Sequence, residues 1–191
     1  MCFVGCYDND FLSIIVRMWE QINPSSSQSE DALPEDEVLI DRTLYLFDIY
    51  VLPVSWWTGS GIFQLNINEV SDPLENTPEG TEFHQVHRFD SIDEMKRATE
   101  QVFTREYAEK NLYPNLEKYK QFLERDGKLY INTEIGAGST LFAPISAKVL
   151  SKAEDEAVLS VTFEEPYGRQ EIHEIVLKKE KDSWKLNNYP Y

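Results

Sequence analysis

KVLSKAEDEAVLSVTFEEPYGRQEIHEIVLKKEKDSWKL, residues 148–186, is the stretch that decides the fold class. Three runs, Ala147 to Lys152, Ala157 to Glu164 and Gln170 to Lys179, each carry β-branched or aliphatic residues with polar residues between them. Ala157, Leu159, Val161 and Phe163 fall on one side of their run, and Val158, Ser160, Thr162 and Glu164 on the other. Likewise Ile172, Glu174, Val176 and Lys178 alternate with His173, Ile175 and Leu177. A period of two is what a sheet with unequal faces requires. Pro166-Tyr167-Gly168 and Lys181-Asp182 break the runs, as turn-forming residues do. The last third, Ala143 to Tyr191, therefore reads as an antiparallel meander, with Trp184 expected to return a large apolar side chain to the sheet.

Helical periodicity precedes the meander. From Asp36 to Trp57 the acids come first, and Leu39, Arg42, Thr43, Leu46, Tyr50 and Pro53 follow at helical spacing, widened by Leu44, Phe47, Ile49 and Val51. Acids suit a helix N-terminus, and so broad an apolar stripe predicts a central helix against the concave face of the sheet. Pro53 should end or kink it, leaving Trp56-Trp57-Thr58-Gly59-Ser60-Gly61 as a turn. The paired tryptophans are either core or an exposed platform. Ser91-Ile92-Asp93-Glu94 is a capping box, Thr104 starts a second helical segment, and Asn115 to Glu124 continues it beyond Pro114. Asp126-Gly127 turns into a strand from Lys128 to Glu134. Phe83 to Phe89 alternates as a strand. The fold class expected is thus α+β: a curved antiparallel sheet packed against several helices, in a cystatin-like or cone-like arrangement.

Composition narrows the function. The 191 residues carry 34 acids against 18 Lys and Arg, a formal charge of −16. Such a balance disfavours phosphate backbones and anionic membrane surfaces as partners and suits a basic protein or a cation. The two cysteines, Cys2 and Cys6, precede the predicted domain, so neither a disulfide nor a cysteine-based zinc site is expected within it. Residues 23–37, NPSSSQSEDALPEDE, are too polar to bury a core and read as a linker. The domains expected are an extension over residues 1–34 and one α+β domain over residues 35–191.

Candidate catalytic groups do not converge. His84 and His87 lie three apart on a predicted strand, hence on opposite faces, and no metal is expected there. No serine sits in a nucleophile elbow, and no cysteine accompanies His84, His87 or His173. Asp155/Glu156 and Glu164/Glu165 are adjacent acids near turns, expected to be solvated. Neither an enzyme nor a cofactor is expected. A rival arrangement has Tyr45, Trp56, Trp57 and Tyr130 lining a ligand pocket. Ile135 to Thr140 is a small-residue loop without the strand-to-helix setting of a phosphate site.

Several features recur in one order: Phe89-Asp90-Ser91-Ile92-Asp93-Glu94-Met95-Lys96, then Val102-Phe103-Thr104-Arg105-Glu106-Tyr107-Ala108, then Asp126-Gly127-Lys128-Leu129-Tyr130-Ile131, the loop Gly136 to Ser139, and the closing Trp184-Lys185-Leu186. Over about residues 83–186 the chain resembles the bacterial D,L-endopeptidase inhibitor family, of the IseA type. The resemblance implies a non-enzymatic protein of a Gram-positive cell envelope that binds a peptidoglycan-cleaving cysteine D,L-endopeptidase and restrains autolysis. It brings forward Glu134, Gly136, Ala137, Gly138 and Ser139 as the partner-binding loop, since glycine lets a backbone approach closely. The bland alternative is a plain connection between strands. At the other end, Phe3-Val4-Gly5-Cys6 resembles a bacterial lipobox, which implies lipidation of Cys6 and contact with a membrane only through that anchor. The runner-up function is a surface lipoprotein whose cone-shaped domain binds a small ligand or wall component.

Overall fold

Alternation dictates the larger sheet. In the computed structural model, which describes residues 35–58, 74, 75, 77, 81–132, 143–164 and 168–189, four antiparallel strands run in sequence order: β4 (Ala143–Lys152), β5 (Glu156–Glu164), β6 (Gln170–Glu180) and β7 (Ser183–Leu186). Ala157, Leu159, Val161 and Phe163 are all buried, as are Ile175 and Leu177 across from them on β6. The residues between them on β5 are only half-buried. Lys181 and Asp182 both take positive φ (49° and 65°), the backbone of a two-residue hairpin turn between β6 and β7.

A smaller antiparallel sheet has the order β1 (Phe83–Gln85), β3 (Lys128–Asn132), β2 (Phe122–Arg125). Asp126 and Gly127 turn β2 into β3 with φ of 54° and 72°. A two-residue Asp-Gly turn needs a strand on each side. Phe122 and Leu123, expected to close a helix, are therefore strand residues, paired with Ile131 and Tyr130.

The helices are α1 (Glu35–Thr58), α2 (Ile92–Thr99), α3 (Arg105–Tyr107) and α4 (Pro114–Tyr119), with a π turn at Ala108–Leu112 between the last two. Ser91 caps α2 by accepting from the Glu94 amide (3.2 Å), while the Glu94 carboxylate accepts from the Asp90 amide (2.9 Å). Thr104 caps α3 in the same way through the Tyr107 amide. Pro114 does not break the helical run. The Tyr113 amide donates to the Ala108 carbonyl five residues back, and this wider turn lets the chain pass Pro114, whose ring would clash with a tighter one. Pro53 does not end α1 either, and Trp56, Trp57 and Thr58 are helical rather than part of a turn. Tertiary contacts outweigh the lost backbone bond: both tryptophans are buried.

The core lies between α1 and the inner face of the large sheet. Leu39, Leu46 and Phe47 face Leu159, Val161 and Phe163, and the Phe47 and Phe163 rings meet edge to face at 4.9 Å. Helix α1 packs on both outer strands, β4 and β7, so the sheet curves around it. Its first turn is clasped by Lys152, whose ammonium lies 2.7 Å from Glu35 and 3.0 Å from Asp36. Further along, Arg42 Nε donates to the Trp184 carbonyl (3.1 Å). The free edge of β7 is covered by residues 102–104: the Leu186 amide donates to the Val102 carbonyl, and the Thr104 amide to the Leu186 carbonyl. Asn188 Oδ1 then accepts from the Val176 amide.

Closure of the core falls to Leu186, not to Trp184. Leu186 is fully buried, whereas Trp184 is half-buried, because it sits one pleat nearer the turn, at the rim. Leu186→Ala is expected to cost about 2–5 kcal/mol, and Trp184→Ala only about 1–2 kcal/mol. Urea midpoints of the two variants check this order.

Candidate interaction surface

The five residues singled out as a partner-binding loop, Glu134, Gly136, Ala137, Gly138 and Ser139, lie outside the described residues, as does Cys6. What is described is the ground on either side of residues 133–142. On the N-terminal side, β3 ends in buried Ile131 and Asn132. The Asn132 amide donates to the carbonyl of Gln121 (2.8 Å), and Gln121, fully buried, reaches with Nε2 to the Trp56 carbonyl (2.8 Å). That carbonyl is near the end of α1, where helix carbonyls lack intrahelical donors. Trp56 stacks edge to face on Phe89 at 4.9 Å, and the Arg88 guanidinium lies 5.2 Å from its ring. Two buried polar atoms here, Trp56 Nε1 and Gln121 Oε1, have no hydrogen-bond partner among the described residues.

On the C-terminal side, Ala143 and Pro144 enter β4 opposite Glu164 and Phe163, and the same rows continue to Gln170 and Glu171 on β6. Here the sheet carries a chain of charge. Arg169 pairs with Glu171, and His173 Nε2 lies 3.3 Å from the other oxygen of that carboxylate. The Phe163 ring meets His173 edge to face at 5.8 Å. Glu171 and His173 stand two apart on β6, so alternation puts them on one face, and Arg169, just before the strand, reaches Glu171. That signal was present in the sequence, but Arg169 and Glu171 were not singled out. The 133–142 segment thus joins the two sheets, with a buried polar junction at one end and an aromatic and ionic row at the other.

The remaining candidates are dispersed. His84 lies on β1, half-buried, with Glu82 3.8 Å away, while His87 is exposed beyond the strand. Among the described residues no group of His, Cys, Asp or Glu is placed to hold a metal ion. Asp155 and Glu156 are exposed at the β4–β5 turn, and Glu164 is half-buried; Glu165 lies outside the described residues. The rival reading rests on Tyr45, Trp56, Trp57 and Tyr130. Trp56 and Trp57 are core residues, Tyr45 stands on α1 with the Arg42 guanidinium 5.3 Å from its ring, and Tyr130 is on β3. Large aromatic rings at the end of a buried helix gain more by packing than by lining a cleft. The concave face that a small ligand would occupy is filled by Leu159, Val161, Phe163, Ile175 and Leu177 together with α1.

Reading from charge and pattern missed a second surface. A groove of about 350 Å³ runs between α2 and the α3–π segment and is lined only by charged side chains and Tyr113. Burial and the neighbouring Glu100 push the Tyr113 phenol well above its usual range, so its hydroxyl remains a neutral donor. Nearby, burial followed by the influence of Tyr189 pushes Tyr107 up to about 12.

Compared with known proteins, the chain matches no protein-family model and no curated protein sequence.

Proposed function

We propose that the chain is a non-enzymatic protein of the cell envelope that binds and inhibits a peptidoglycan-cleaving cysteine D,L-endopeptidase, held at the surface through a lipid on Cys6. The observation that carries this reading over the ligand-binding one is the filled interior. Leu159, Val161, Ile175 and Leu177 are buried in one cluster with Leu39, Leu46 and Phe47 of α1, and Phe47 also meets Phe163 of β5, where a ligand chamber would have to be. A domain whose interior is packed acts through its surface, and segments rooted on rigid elements are suited to that task.

The 133–142 segment has such roots. Its N-terminal neighbour Asn132 is fixed by the hydrogen bond that its buried amide donates to the Gln121 carbonyl, and its C-terminal neighbour Ala143 by pairing with Glu164. The glycines at 136 and 138 allow close approach to a narrow cleft. A net charge of −16 favours encounter with a basic enzyme through complementary potentials. The ordered features that carry the resemblance also occupy the positions that build the domain: Ser91 and Thr104 are helix caps, Asp126-Gly127 is a hairpin turn, and Leu186 closes the core.

The test is titration of the purified chain into the catalytic domain of a cysteine D,L-endopeptidase acting on soluble muropeptide. Stoichiometric loss of activity is expected. Replacing Gly136 and Gly138 by valine is expected to weaken inhibition at least about tenfold, a loss of about 1.4 kcal/mol, while leaving the melting temperature unchanged. Absence of both inhibition and complex with several such enzymes would overturn the reading.

A further inference from the structure

The groove beside α2 has a composition unlike that of the chain as a whole. One wall is a single helical face, on which Asp93, Lys96, Arg97 and Glu100 recur at the three- and four-residue spacing of an α-helix. Arg105 of α3 and Glu109 of the π turn form the opposite wall, paired at 2.7 Å. Tyr113 completes it. Its hydroxyl lies 3.2 Å from Glu100 Oε1 and 3.3 Å from the Lys96 carbonyl, and its ring packs edge to face on buried Trp57 at 5.1 Å.

Three of the six charged groups are held by ion pairs or side-chain hydrogen bonds: Arg105 with Glu109, and Glu100 with the phenol. The other three are not. The Lys96 ammonium lies 5.3 Å from the centre of the Tyr113 ring. Among the described residues, the side chains of Lys96, Arg97 and Asp93 form no ion pair. The groove therefore presents two cations and one carboxylate outside any ion pair, from Asp93 to Arg97 on one helix face. Its walls carry three positive and three negative groups, in a chain whose formal charge is −16. The π turn that carries Glu109 is an uncommon backbone feature that concentrates at functional sites.

We propose that this groove binds a small zwitterion, an amino acid or a short peptide with both ends free, taking the carboxylate on Lys96 and Arg97 and the ammonium on Asp93. A polyanion would meet three carboxylates, and a bare cation three positive side chains. A ligand that carries both signs meets these groups with an opposite charge at each end. Because the groove is open and its charges are solvated, the affinity is modest, with a dissociation constant of about 1 mM. Binding here is independent of any peptidase.

The experiment is a titration of the full ¹⁵N-labelled chain with trialanine, followed by the amide resonances of Lys96, Arg97, Glu109 and Tyr113. Saturable shifts are expected with the free tripeptide. Amidating its C-terminus or acetylating its N-terminus should each weaken binding about tenfold, and the Lys96→Ala/Arg97→Ala double variant should lose the response at an unchanged melting temperature. Equal binding of the doubly capped peptide, a full response from the double variant, or no saturable shift up to roughly 20 mM would each overturn the proposal.

Discussion

Trp57→Ala is expected to destabilise the domain by about 3–5 kcal/mol, close to the whole stability of a marginal domain of this size. Trp57 is fully buried. Its indole N–H donates to Thr99 Oγ1 at 2.8 Å, and the Thr99 hydroxyl in turn donates to the Met95 carbonyl at 2.9 Å. Its ring meets Tyr113 and Phe122 edge to face. One side chain thus joins the end of α1 to α2, to the helical run after Thr104, and to β2. Removing it leaves a cavity where four elements meet, none of which can collapse inward without moving the others. Trp57→Phe separates the two contributions, since it keeps most of the packing and loses the hydrogen bond. The neighbouring Trp56→Phe is expected to cost less than Trp57→Phe by about 1–2 kcal/mol, because it removes an indole N–H that has no partner among the described residues. Denaturant unfolding of the three variants checks the order, and a Trp56→Phe protein less stable than Trp57→Phe would contradict it.

Phe163→Ala is expected to cost a similar amount, about 3–5 kcal/mol, at the opposite end of the core. Phe163 is fully buried on the inner face of β5, against Phe47 of α1 at 4.9 Å and His173 of β6 at 5.8 Å. It holds the end of the sheet where residues 133–142 enter β4, since Phe163 pairs with Pro144. Loss of the ring should therefore weaken the sheet and speed amide exchange in β4 more than in β7. Uniform acceleration in both strands would show that the two sheet edges open as one unit. Phe163→Leu, which fills most of the space, is expected to recover more than half of the loss.

Much of the architecture was legible without coordinates, for identifiable reasons. The alternation in Ala157, Leu159, Val161 and Phe163 translates directly into buried positions on β5, because each strand residue has only two faces to choose between. The Ser91 and Thr104 caps were legible because a cap is a bond between near neighbours, which local sequence contains. Lys181-Asp182 marked a hairpin for the same reason.

Longer-range matters were not legible. Phe122 and Leu123 fit a helical spacing, and only pairing with Ile131 and Tyr130 made them strand. A helix and a strand of four residues differ little in local pattern, so the partner decides. Pro53 and the following tryptophans read as a helix end and a turn, yet burial of Trp56 and Trp57 holds α1 helical through Thr58. Trp184 looked like the closing core residue because of its size. Leu186, on the same face but farther from the turn, holds that place instead.

The candidate surfaces divide in the same way. The pair Glu171 and His173 and the face Asp93, Lys96, Arg97, Glu100 are each fixed by the period of a single element, so the sequence by itself determined that their members stand together. That Glu109 and Tyr113 oppose the second of these, that Gln121 and Trp56 fasten the end of β3, and that the concave face is filled were decided only by the tertiary structure. Periodicity assigns a side chain to a face, but what that face meets depends on contacts between residues far apart in the chain, and no local pattern encodes them.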